Sequence, residues 1–243
     1  MILDYHHLPI CAIMLLFFGA FFITTFGTRG GVRKIVSMIA SAASLACLIA
    51  LIKPVMIDGE IISYWLGSRG IAGGYAIGIA IEVDALSLFF GLLVGIAAFA
   101  ACLYSLDYIT HDAHQVQYYT LLLMTSGGVL GMVLTGDIFN MYIMVEILTI
   151  GAVGLTAYRS KSEGALEAAF KYLVVGSIGS AFILTAIVML YAEAHTLNLA
   201  QLSVLLPGML GSGRMKIAFA LLLAGFSTKA FIVPFHPLAA DAH

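Results

Sequence analysis

Six separate stretches of this chain are apolar for about the length that crosses a lipid bilayer. A helix rises about 1.5 Å per residue and the hydrocarbon core is about 30 Å thick, so roughly 20 apolar residues span it. The runs 8–26, 35–52, 85–106, 118–135, 138–157 and 168–191 come close enough. A seventh begins at Lys216, but its apolar character is interrupted by Ser227, Thr228, Lys229 and then Pro234. Backbone interrupted in this way is expected to line a polar cavity rather than face lipid. The spacing predicts an all-α, polytopic membrane bundle of about seven transmembrane helices. The seventh is expected to break at Gly225 to Thr228, with Lys229 held beside unwound carbonyls.

Composition points the same way. The 243 residues are 62% hydrophobic and 10% charged, with a mean hydropathy of +1.06, whereas a soluble domain carries about 25% charged residues. A water-soluble fold could not hide that much apolar surface. The formal net charge is -2 and the 11 Lys and Arg are scattered, which leaves no basic footprint for nucleic acid. Cys11, Cys47 and Cys102 stand singly in apolar runs, so they read as packing residues, and no cofactor is expected. The first run lacks a basic leader and a small-residue cleavage site, and is expected to be a retained helix.

If the helices alternate, the loop of Arg29, Arg33 and Lys34 shares a side with the loop of Arg159 and Lys161. The acid-rich intervening segment, with Lys53, Arg69, Arg214 and Lys216, falls opposite. Cationic loops favour the cytoplasm, so the N-terminus is expected outside. Residues 58–82, with Gly67, Gly70, Gly73 and Gly74 around Tyr64 and Trp65, read as an external loop with interfacial aromatics. The expected division is 1–83, two helices and this loop, and 84–243, a five-helix unit. Gly91 and Gly95, Gly127 and Gly131, and Gly176 and Ser180 lie one turn apart, where small residues let helices approach.

Ionisable groups inside the apolar runs carry the functional signal. Glu146 stands near the middle of 138–157, where an acidic side chain costs about 2.5–3.5 kcal/mol on insertion scales. Tyr142 and Thr149 share its helical face, making a polar stripe that should point into the bundle. Either Glu146 is a protonated carboxyl that only bonds a neighbouring helix, or it carries protons. Lys229 is its counterpart, with snorkelling to the interface as the plainer reading. Burial lowers a lysine pKa and raises that of a glutamate, and bringing the two together opposes both shifts. A pair whose separation or neighbouring charge can change is therefore a proton switch.

Glu167 and Lys171 are four apart, in the favourable order for an ion pair. Lys171, about one turn inside its run, reads either as a snorkelling lysine or as a conducting one, and Glu167 is a further candidate for the relay. His236, Asp241 and His243 follow the interrupted run, where they can serve as a proton relay or as interfacial polar residues. His111, His114, Asp107 and Asp112 read as a solvated loop face rather than a metal site. Asp137, beside Gly136, reads as the cap of the fifth helix.

Several blocks resemble the antiporter-like subunits of respiratory complex I, membrane-bound hydrogenases and Mrp-type Na+/H+ antiporters, the Mrp D-subunit type above all. They are Asp84-Ala85-Leu86-Ser87-Leu88-Phe89-Phe90, Tyr104-Ser105-Leu106-Asp107-Tyr108, and Gly136-Asp137-Ile138-Phe139-Asn140-Met141-Tyr142 leading to Glu146. Phe170-Lys171-Tyr172-Leu173, Lys229-Ala230-Phe231-Ile232-Val233-Pro234-Phe235-His236 and Asp241-Ala242-His243 continue them. The resemblance implies that Glu146 pairs with Lys229, that Lys229 accepts and releases the proton, and that Lys171 modulates the pair. It also implies a second, inverted helix unit, beyond His243, that would hold the exit half-channel. The expectation is therefore one half-channel, completed by a partner chain.

The leading expectation is a proton-translocating subunit with no catalytic centre of its own. It would belong to an oxidoreductase-linked ion pump (hydrogenase-like, sulfur-reducing or quinone-linked) or to an Mrp-type antiporter. Its partners would be other membrane subunits, the lipid bilayer, and protons with Na+ as the alternative ion. A non-conducting structural spacer is the second reading. An independent secondary transporter is the third, disfavoured because such carriers usually contain both repeats.

Overall fold

The structure, a computed structural model, describes residues 5–28, 30–67, 71–72, 75–76, 78–110, 112–158 and 163–242. Arg29, Arg69, Gly70, Gly73, Gly74, His111, Arg159, Lys161 and His243, weighed above, lie outside that set. Among the described residues, six helices are long and apolar enough to cross a membrane, and the protein is a multi-pass, all-α integral membrane bundle. Residues 1–64 with 81–135, and 65–80 with 136–243, form two compact units.

The first unit holds α1 (Leu8–Phe26), α2 (Gly30–Ala50), α3 (Ala85–Tyr108) and α4 (Gln115–Val133). α1 packs on α2 and α4, and α3 also packs on α2 and α4. Ile13, Leu16, Ile23, Leu48, Leu88, Leu123 and Leu130 fill the core between them. Small residues set the approach, as expected. A β-carbon on Gly95 would lie 2.9 Å from Leu48, and one on Gly127 3.0 Å from Phe17. Two hydroxyls bond across to neighbouring helices, Ser44 donating to the Ala12 carbonyl at 2.8 Å and Tyr119 to that of Ser105 at 2.8 Å. Asp84 caps α3 in a reciprocal box with Ser87.

The expected external loop is in fact partly paired. β1 (Ile62–Leu66) joins β4 (Ile79–Val83), and β2 (Ile71–Ala72) joins β3 (Tyr75–Ala76) in antiparallel register. The physical reason is legible afterwards. Ile62, Tyr64, Ile79, Ile81 and Val83 are the branched and aromatic side chains that suit a pleated, half-covered surface. Gly67 and Gly78 take φ of +92° and +112°, which a side chain would strain.

The second unit holds α5 (Ile138–Thr156), α6 (Glu163–Ala194), α7 (Leu199–Met209), α8 (Gly213–Lys229) and α9 (Pro237–Ala242). α6 is its spine, packed against each of the others. Ile183, Ile187, Leu190, Leu202, Met215 and Ala218 form the core. α7 is absent from the sequence reading. Its 11 residues reach about 16 Å, too short to span. It is tied to the start of α5 by Leu199 N–H to the Gly136 carbonyl at 2.9 Å and Ile138 N–H to that of Leu197 at 3.0 Å.

The seventh run breaks, but later than expected. Gly225 to Thr228 are helical and Lys229 is the last residue of α8. Gly225 serves as a packing notch against α6 instead, which a residue of no volume also permits. The interruption follows Lys229. Phe231 takes φ of +53°, its N–H reaching the Thr228 carbonyl at 3.3 Å while Ile232 N–H reaches that of Ser227 at 2.9 Å. That pair of bonds is a Schellman terminus, with phenylalanine where glycine is usual.

Candidate functional site

Glu146 lies on α5 about 12 Å from its first residue, near the centre of a helix of about 28 Å. Asp137 starts α5 by accepting the Asn140 N–H at 2.8 Å, as anticipated. Burial raises the Asp137 carboxyl pKa, and the Asn140 and Phe139 N–H groups oppose that shift. From this start, positions 146 and 149 fall on one face of α5. On α8, the Schellman terminus stops the helix directly after Lys229.

These elements bring the two expected residues together. Lys229 Nζ lies 3.3 Å from Glu146 Oε1, and it donates a shorter bond, 2.8 Å, to Thr149 Oγ1. The Lys229 side chain is 10% exposed and that of Glu146 31%. The amine is thus the more deeply covered partner. Glu146 Oε1 also accepts a hydrogen bond from Ser180 of α6. Three helices therefore converge on one pair of opposite charges.

Gly176 makes room for the ammonium. A β-carbon there would stand 3.8 Å from Lys229 Nζ and 3.3 Å from the Thr149 methyl. Beneath the helix break, the rings of Tyr172 and Phe231 meet edge to face with centroids 5.4 Å apart.

The remaining expected residues sit differently. Lys171 pairs with Glu167 at 2.8 Å, with side chains 47% and 66% exposed. Lys171 is about 7.5 Å along the helix axis from Gly176. His236 is exposed in the turn before α9. Asp241 lies in α9 and His243 falls outside the described residues. Among the described residues, no group of three or more His, Cys, Asp or Glu side chains is placed to hold a metal ion.

Sequence reasoning places Thr149 on the Glu146 face by its i+3 spacing, and the structure brings it to Lys229. It misses Ser180, which reads only as a small residue spaced one turn from Gly176. Nothing local marks Ser180, because its partner is 34 residues away.

Comparisons with known proteins identify the family. Residues 135–243 match the family described as NADH:quinone oxidoreductase/Mrp antiporter, TM, and residues 71–119 match NADH-Ubiquinone oxidoreductase (complex I), chain 5 N-terminus. NADH-quinone oxidoreductase subunit N of Desulforudis audaxviator is 33% identical over 168 residues, covering 68% of this chain and 33% of its own length. F(420)H(2) dehydrogenase subunit N of Methanosarcina mazei is 26% identical over 215 residues, covering 87% and 41%. The chain thus spans between a third and about two fifths of these relatives.

Among solved structures, a chain of the archaeal membrane-bound sulfane sulfur reductase superposes with a TM-score of 0.88 at 29% identity, covering 96% of this chain and 47% of that one. A chain of the Mrp complex from Dietzia sp. DQ12-45-1b shares the fold, with a TM-score of 0.81 at 24% identity, covering 100% and 44%. Matched motifs, shared fold and related sequences together establish that this chain belongs to the antiporter-like membrane subunit family of complex I and Mrp-type assemblies.

Proposed function

We propose that the chain is a proton-translocating subunit of a multisubunit membrane complex, and that Glu146 and Lys229 form the centre of a half-channel. The observation that carries this reading is the 3.3 Å separation of the two charges in the middle of a membrane bundle. In this reading a proton arrives from the cytoplasmic side, Lys229 takes it up and releases it, and the charge on Glu146 sets how tightly it is held. The N-terminus is outside, in a prokaryotic cell membrane. His236, Asp241 and His243 relay the proton beyond the break in the helix.

Coulomb coupling supplies the drive. At an effective dielectric constant of about 20, withdrawing a unit charge from about 4 Å to about 8 Å changes the interaction by about 2 kcal/mol. That is roughly thirtyfold in a proton-binding constant. The same displacement in bulk water is worth about a quarter as much. Lys171, released from Glu167 and drawn toward the pair, is the charge that modulates it. Partner membrane subunits would move that charge and complete the path, and Na+ in exchange for H+ is the alternative cargo.

Glu146→Gln in the assembled complex is expected to reduce ion pumping about tenfold or more, while catalysis by redox partners stays partly intact. Pumping at the unsubstituted rate overturns the proposal. A spacer role is the outcome if Lys229→Ala alters assembly alone.

A further inference from the structure

Hydrogen counting at the pair shows more than a salt bridge. A threonine hydroxyl has one hydrogen and two lone pairs, and an ammonium can only donate. Thr149 Oγ1 lies 2.7 Å from the Val145 carbonyl oxygen, which can only accept. The single hydrogen of Thr149 is therefore committed to its own helix, and only lone pairs face Lys229 Nζ at 2.8 Å.

Ser180 differs. Its one hydrogen has two acceptors within reach, the Glu146 carboxylate and the Gly176 carbonyl at 3.0 Å. It can serve either, but not both fully. With its hydrogen on Glu146 it stabilises the ionised carboxylate. With its hydrogen on Gly176 its oxygen is open to accept an O–H.

We infer that Thr149 and Ser180 are positioning residues that let the Glu146–Lys229 pair change protonation state without moving a heavy atom. The inference rests on the proposed proton role of the pair. In the transfer an N–H bond of Lys229 breaks and an O–H bond forms on Glu146, so the pair passes from two opposite charges to two neutral groups. The neutral amine keeps an N–H on Thr149. The Ser180 hydrogen turns to the Gly176 carbonyl, and its oxygen accepts the new O–H, which then points away from the amine. Thr149 holds the donor in place, and Ser180 answers to both states of the acceptor.

The test uses the chain in its native complex in sealed membrane vesicles, with ion transport and the infrared carboxyl band lost in Glu146→Gln as the two readouts. Thr149→Val keeps the shape and removes the acceptor, and is expected to lower transport about tenfold. Thr149→Ser restores the oxygen and is expected to return transport to within about threefold. Ser180→Ala is expected to shift the Glu146 carbonyl stretch to higher frequency, a change that a merely structural serine would not produce. If Thr149→Val transports normally, or the serine variant rescues nothing, or the band stays in place in Ser180→Ala, the inference is overturned. In those cases a loss of transport in Glu146→Gln leaves the proposed function standing. Normal transport in Glu146→Gln removes the proposed function itself.

Discussion

Gly225 of α8 and Gly179 of α6 meet backbone to backbone one turn before Lys229. A β-carbon on Gly225 would lie 2.7 Å from the Gly179 carbonyl oxygen and 2.5 Å from Ile183 Cγ1. One obstacle is main chain, which cannot rotate aside. Gly225→Ala should therefore push the helices apart, costing about 1–3 kcal/mol. Gly208→Ala, with nothing near its β-carbon, should stay within about 0.5 kcal/mol. Thermal unfolding of the detergent-solubilised protein compares them, and equal midpoints would contradict the close approach.

The charge pair should be visible as a coupling energy. Glu146→Gln leaves Lys229 with Thr149, and Lys229→Met leaves Glu146 with Ser180. Each single substitution is expected to destabilise by about 1–3 kcal/mol, less than a fully buried pair because Glu146 is partly exposed. The double variant should cost less than the two together, by about 1 kcal/mol or more. Strict additivity would mean that the pair does not interact.

At the start of α3, Asp84 accepts the Ser87 N–H at 2.7 Å, and its own N–H donates to the Ser87 hydroxyl at 2.8 Å. The bonds from Ser87 hold the carboxyl below its ordinary pKa. The folded pKa is therefore lower than the unfolded one. This contribution is complete above the unfolded pKa, near 3.9, and fades as pH falls through the folded pKa. Asp84→Ala should cost about 1 kcal/mol at neutral pH, with the gap from the unsubstituted protein closing in acid. Asp84→Asn, which also caps, should retain most of the neutral-pH stability. A gap that does not vary with pH would argue against the ionised cap.

Phe231 combines a left-handed backbone with a ring against Tyr172. Phe231→Ala loses the ring and keeps the strained conformation, whereas Phe231→Gly loses the ring and relieves it. The glycine variant should be more stable than the alanine variant by about 1 kcal/mol. Denaturant midpoints measured on the two proteins decide this, and the reverse order would refute the left-handed terminus.

The sequence carried the helices well because lipid imposes a strong rule: every spanning segment must be long, apolar and internally hydrogen-bonded. Runs at 8–26 and 138–157 reappear as Leu8–Phe26 and Ile138–Thr156. It carried α7 and the paired strands poorly, because neither is long enough for hydropathy to detect, and α7 and the β1–β4 pair also depend on partners remote in the chain.

Glu146 and Lys229 were legible as charges that lipid would not tolerate, a property of each residue taken alone. Their 3.3 Å separation, the choice of Thr149 over other hydroxyls, and the recruitment of Ser180 were decided by tertiary structure. Those facts depend on how closely α6 and α8 approach and on where α8 stops. Close approach is a sum of many contacts between remote segments, such as Gly225 on Gly179, and no local stretch of sequence contains it.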